Sequence, residues 1–158
     1  MTPATAVTVP TDAGAMPAVR WLPPSGTGPG LLLLQEIFGV SDYIRRRGAD
    51  LAAAGYVVLA PELYWRLDPT PIDESSPGAI EQAMNRAQQL DWAAAVADSR
   101  GALENLAADD VVIGRPGVIG FCFAAAAWRS TSRRRLTSRS SSATTGRPCR
   151  PCSSSRPR

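Results

Sequence analysis

The sequence predicts a partial α/β fold over residues 1–128, a mostly parallel sheet with flanking helices, followed by a disordered, basic tail over 129–158. Three observations predict it. Short, uninterrupted aliphatic runs have the look of strands buried on both faces. Segments at helical spacing alternate with them, which is the pattern of a parallel sheet. After Trp128 the composition changes abruptly: the last thirty residues hold nine of the 17 arginines, nine serines and no acidic residue, and Leu136 is their one large aliphatic.

Weak extended segments at Thr5–Val9 and Val19–Leu22 suggest an N-terminal hairpin. Gly30–Gln35, bounded by the Gly-rich Ser25–Gly30, reads as a buried parallel strand. Ser41 or Asp42 caps a helix with Ile44, Gly48 and Leu51 facing inward, and Gly55 ends it. Tyr56–Ala60 is the next strand, and a Pro- and Asp-rich loop runs from Pro61 to Gly78. Ile80–Leu90 and Asp91–Leu106 read as helices, the second with Trp92, Val96, Ser99, Leu103 and Leu106 along one face. Pro116–Gly120 reads as a buried strand and Ala124–Trp128 as the start of a helix.

Residues 1–128 carry eight arginines against 14 carboxylates, a net of −6, whereas 129–158 carry +9. The overall charge of +3 therefore averages two unlike pieces and is no argument for a nucleic-acid-binding domain. Lysine is absent, a sign of GC-rich coding DNA, and the Arg, Ser, Pro and Ala content of the tail is what such DNA yields out of frame. No export signal or membrane-spanning run is evident, so a cytoplasmic chain is expected. The three cysteines form no disulfide framework. Cys149-Arg150-Pro151-Cys152 has redox or zinc spacing, but the chain offers no histidine and no second pair, so chance is the better account and no metal or cofactor is expected.

In a parallel sheet, reactive groups collect at the carboxyl ends of strands. Three motifs fall there: Gln35-Glu36-Ile37-Phe38-Gly39, Pro61-Glu62-Leu63-Tyr64, and Gly120-Phe121-Cys122-Phe123. One pocket could hold all three. The last is a Gly-x-nucleophile-x-small turn between strand and helix, which lifts its side chain outward over backbone N–H groups.

In order and spacing these motifs resemble the dienelactone hydrolase family (carboxymethylenebutenolidase-like), within the α/β-hydrolase superfamily, over roughly residues 5–123. The resemblance implies an α/β-hydrolase sheet and hydrolysis of a small-molecule ester or lactone. It implies Cys122 as the nucleophile that forms an acyl-enzyme, which water then releases. It implies that Glu36 contacts the cysteine and helps to generate its thiolate, and that the backbone N–H groups of Ile37 and Phe123 form the oxyanion hole. Such parts are needed because an ordinary thiol, with a pKa of about 8.5, is mostly protonated at neutral pH. The family's aspartate and histidine follow the elbow; here Asp110 is the last acid and histidine is absent. Ala124 stands where the family elbow has glycine, and Ile80 where members acting on carboxylated lactones have arginine before a Glu-Gln-Ala segment.

Two classes of function follow. One is a cysteine-dependent hydrolase, truncated or frame-disrupted just after Phe123 and catalytically impaired. The other is a non-enzymatic fragment or binding protein whose basic tail has nonspecific affinity for anions. Neither a specific nucleic-acid partner nor a membrane is expected, and the oligomeric state is left open.

Overall fold

The computed structural model describes residues 3–67 and 72–121. The chain runs β1 (Ala4–Thr11), β2 (Gly14–Trp21), β3 (Gly30–Leu34), α1 (Asp42–Ala53), β4 (Val57–Pro61), α2 (Ala79–Gln88), α3 (Trp92–Ala107) and β5 (Gly117–Gly120). The strands form one sheet in the order β1-β2-β4-β3-β5. β4, β3 and β5 are parallel, with Gly30 beside Val57 and Leu34 beside Gly120. The expected hairpin of β1 and β2 adds the antiparallel half by pairing β2 with β4.

The aliphatic runs are continuous because both faces of the sheet are covered. Leu32 and Leu34 point into one core with Val57, Leu59 and Leu106, while Leu33 points into the other with Val58, Ala60 and Ile44. α3 packs on the first face and α1 on the second, so the chain winds both ways about the sheet.

Helix boundaries follow local chemistry. Ser41 caps α1, its Oγ accepting from the Ile44 N–H, and Asp91 caps α3 through the Ala93 and Ala94 N–H groups. Gly48 is inward as expected, since a Cβ there would lie 2.8 Å from the Trp21 ring.

Three expectations need correction. Leu51 is only partly buried; Ala49 and Ala52 take the core positions, because they let α1 sit close on Val58 and Ala60. On α3, Trp92 and Leu103 lie at the margin, while Val96, Ser99 and Leu106 are buried as expected, together with Ala95, Asp98 and Ala102. β5 is partly buried rather than buried, since among the described residues only β3 pairs with it.

Candidate active site

The chain reverses direction across the sheet at β3: it leaves toward β4 through α1 and returns on the other side as β5. In open α/β sheets the crevice at such a reversal, outside the carboxyl ends of the strands, is where ligands are held. The carboxyl end of β3 continues into Gln35–Gly39 and that of β5 into Phe121, whose ring meets Tyr43 of α1 edge-on at 5.5 Å.

After Gln35 the chain makes a tight turn. The Gly39 N–H donates to the Glu36 carbonyl at 3.0 Å, and Gly39 has φ 89°, a conformation other residues rarely adopt. A trans peptide points its C=O and N–H in opposite directions. With the Glu36 carbonyl engaged inside the turn, the Ile37 N–H of the same peptide is aimed outward, and no acceptor among the described residues takes it.

The Glu36 side chain is partly buried and accepts from Ser41 Oγ at 2.8 Å. Burial pushes its carboxyl above the ordinary range; the Ser41 hydroxyl pulls it back, and the Glu74 charge pushes it further up. Glu62, past the end of β4, is also raised by burial, opposed by Arg45 and by the Val40 backbone N–H. Arg45 Nη2 lies 3.6 Å from Glu62 Oε1.

The first two motifs are joined directly. Gln35, buried, accepts from the Leu63 N–H at 2.8 Å, and the Tyr64 hydroxyl donates to the Ile37 carbonyl at 3.1 Å. Beside them lies a cleft of about 710 Å³ whose walls include Phe38, Val40, Ser41, Arg45, Glu62 and Tyr64. It thus takes residues from two of the three motifs expected to share a pocket. Glu36 does not line it but is bonded to Ser41, which does. Cys122 and Phe123 lie outside the described residues, as do the start of the expected helix at Ala124, the Cys149–Cys152 pair and the basic tail. Among the described residues no group of three or more acidic, Cys or His side chains is arranged to hold a metal, and no helix is long and apolar enough to cross a membrane.

Sequence reasoning missed Asp98, whose carboxylate is buried in α3 and binds Trp65 Nε1 at 3.0 Å together with both terminal nitrogens of Arg66. Its signal was present: the spacing Ala95, Asp98, Ala102 puts an acid on the inward stripe, and a buried acid requires a donor or cation.

The profile of the family described as "Dienelactone hydrolase family" matches residues 16–141. A relative named carboxymethylenebutenolidase 1, from Cupriavidus pinatubonensis, is 33% identical over 116 residues, covering 73% of this chain and 50% of its own. Among solved structures, m3DLH is 29% identical with a TM-score of 0.67, covering 84% of this chain and 55% of that one. The dienelactone hydrolase-like promiscuous phosphotriesterase P91, from metagenomic libraries, is 26% identical with a TM-score of 0.60, covering 84% and 54%. This chain spans about half the length of the relatives it matches.

Proposed function

Because the chain belongs to the dienelactone hydrolase family, we propose that its site is built for acyl transfer from a small ester or lactone to Cys122, and that this polypeptide carries out only the first half of the reaction efficiently. In that half, the Cys122 thiol gives its proton to Glu36 and the thiolate attacks the carbonyl carbon. The S–C bond forms as the carbonyl π pair moves to oxygen, where the N–H groups of Ile37 and Phe123 receive the charge. The pair returns, the C–O bond breaks and the alkoxide or phenolate leaves, giving a thioester. Water must then attack the thioester to release the acid.

The observation that carries this reading is the pairing, at the point where the sheet reverses, of an outward-turned Ile37 N–H with a carboxyl made more basic by burial. A raised carboxyl holds a proton better and so suits a group that must take one from a thiol. The elbow sequence Gly120-Phe121-Cys122-Phe123 begins at the last residue of β5, the strand beside β3.

The second half is impaired because the chain contains no histidine to activate water or to protonate a poor leaving group. Residues 1–128 are read as the amino-terminal part of a hydrolase domain, and the Arg- and Ser-rich 129–158 as a tail read out of frame. Translating the coding DNA downstream of Phe123 in the other two frames tests that division. A small-molecule substrate is the partner proposed.

Activated esters whose phenolate leaves without a proton therefore suit this chain. Mixed with p-nitrophenyl acetate, it should release a burst of about one equivalent of p-nitrophenolate and then turn over slowly, with Cys122→Ala abolishing the burst. Residual catalysis by sites stripped of their base is about 10³–10⁴ over water. Equal bursts from both proteins would overturn the reading.

A further inference from the structure

Residues Glu62–Leu67 follow β4 without forming helix or strand, and a surface loop of that kind is ordinarily among the more mobile parts of a fold. This one is tethered along its length. The Glu62 N–H donates to the Pro17 carbonyl at 2.9 Å, the Leu63 N–H to Gln35 Oε1 at 2.8 Å, and the Tyr64 hydroxyl to the Ile37 carbonyl at 3.1 Å. Trp65 Nε1 and the Arg66 guanidinium both donate to Asp98 on α3, and Arg66 stacks over the Trp65 ring with 4.3 Å between its Cζ and the ring centroid. Two turns within the loop, Trp65 N–H to Glu62 carbonyl at 3.0 Å and Leu67 N–H to Tyr64 carbonyl at 2.7 Å, stiffen it further. Leu63, Tyr64 and Asp98 are each 4% exposed. The loop is a strut with one end on α3 and the other on the turn after β3.

What the strut holds is specific. Two peptide planes meet at the Ile37 Cα. The one before it carries the Ile37 N–H and is fixed by the bond from Gly39 to the Glu36 carbonyl. The one after it carries the Ile37 carbonyl and is fixed by the Tyr64 hydroxyl. Because each plane is rigid, restraining the carbonyl of both narrows the two soft dihedrals of Ile37, and the direction of its N–H is restrained from both sides. Release of the second plane would leave that direction held by the turn alone. We infer that Tyr64 is a positioning residue: its hydroxyl, braced through Trp65 and Arg66 on Asp98, locks the Ile37 peptide so that its N–H is fixed toward the reacting carbonyl oxygen. This rests on the preceding reading in one respect, that the Ile37 N–H meets an oxyanion.

Positioning of this kind matters because an oxyanion donor is useful only at about 2.7–3.1 Å from the charge it receives, and displacement by about 1 Å can lower a rate some hundredfold. A packing role for Tyr64 exists as well, since its ring lies 3.5 Å from where a Gly39 Cβ would be. Tyr64→Phe keeps the ring and removes the bond.

The test compares two reactions at one sulfur in the full chain, both read at Cys122 by peptide mapping and mass spectrometry, which separates it from the two tail cysteines. Acylation by p-nitrophenyl acetate passes through an oxyanion; alkylation by chloroacetamide displaces chloride at a saturated carbon and does not. Tyr64→Phe should slow acylation roughly tenfold and leave alkylation essentially unchanged. Tyr56→Phe, at the amino end of β4, controls for loss of a hydroxyl and should alter neither. Amide hydrogen exchange over residues 35–40 should rise in Tyr64→Phe and not in Tyr56→Phe. Parallel loss of both reactions, or unchanged acylation and exchange, would overturn the inference. If Cys122 of the unsubstituted chain is acylated no faster than the tail cysteines, the acyl-transfer reading fails, and the exchange experiment alone decides whether Tyr64 locks the turn.

Discussion

Glu36 and Glu62 stand just past the ends of the neighbouring strands β3 and β4, and burial raises both carboxyls, yet their partners differ in kind. Glu62 faces the Arg45 guanidinium and the Val40 N–H, so charge and hydrogen bonding oppose the effect of burial. Glu36 faces the neutral Ser41 hydroxyl, and the charge that reaches it, from Glu74, has its own sign. A hydroxyl can satisfy a lone pair, but it cannot offset the loss of hydration of a full charge as a cation can. The pair therefore separates two uses of a buried acid. Glu62 ties β4 to α1 through Arg45, whereas Glu36, bonded to a neutral hydroxyl, stands beside the turn that presents the Ile37 N–H.

The strongest way to break this comparison is to neutralise each acid in turn. Glu36→Gln should slow acylation of Cys122 by about 10²-fold, the low end of what a positioned proton acceptor contributes. Glu62→Gln should leave it within about twofold of the unsubstituted chain, because its carboxylate is engaged elsewhere. Single-turnover release of p-nitrophenolate measures both. Similar losses in the two variants would mean that the partners do not distinguish the acids.

Ser41 sharpens the comparison, because it serves two groups at once: its Oγ accepts from the Ile44 N–H at 3.5 Å and donates to Glu36. Ser41→Ala should destabilise the fold by about 1 kcal/mol through loss of the helix cap, as read by urea unfolding. It also removes the contact that lowers the Glu36 carboxyl, so the pH at which acylation reaches half its maximum should move upward. Stability loss without movement of the profile would show that Glu36 is not the titrating group.

The scaffold of this pair was legible in the sequence, while its partners were not. Leu31–Leu34 announced a strand buried on both faces because no polar residue interrupts it, and Ser41 announced a helix start through its residue type and place. Glu36 and Ile37 were legible through the family resemblance carried by the three motifs, whereas the turn that Gly39 closes emerged only from the structure. The bonds from Tyr64 to Ile37, from Gln35 to Leu63 and from Arg66 to Asp98 each join residues 27 or more positions apart, and nothing in a single sequence says which distant donor meets which acceptor. The same limit hid the contrast between the two glutamates, since Arg45 and Ser41 both belong to the start of α1 and only packing decides which acid each reaches.

The smallest effect concerns Glu62 and stability, and its sign separates burial from ion pairing. Because its carboxyl is raised, the native state holds that proton more tightly than the unfolded chain does. As pH rises from the ordinary glutamate value of about 4.3 through the native value, the unfolded chain gives up the proton first, so the contribution of Glu62 to stability is present at low pH and is lost on the way up. Glutamine does not titrate. Glu62→Gln should therefore match the unsubstituted chain near pH 4 and melt slightly higher at pH 7, by about 1–3 °C, even though it gives up the contact with Arg45. That contact spans 3.6 Å between partly exposed groups and is worth under about 1 kcal/mol. Thermal melts of both proteins from pH 4 to pH 7 measure the difference. A lower melting temperature for Glu62→Gln at pH 7 than at pH 4, relative to the unsubstituted chain, would show that Arg45 outweighs burial at this carboxyl.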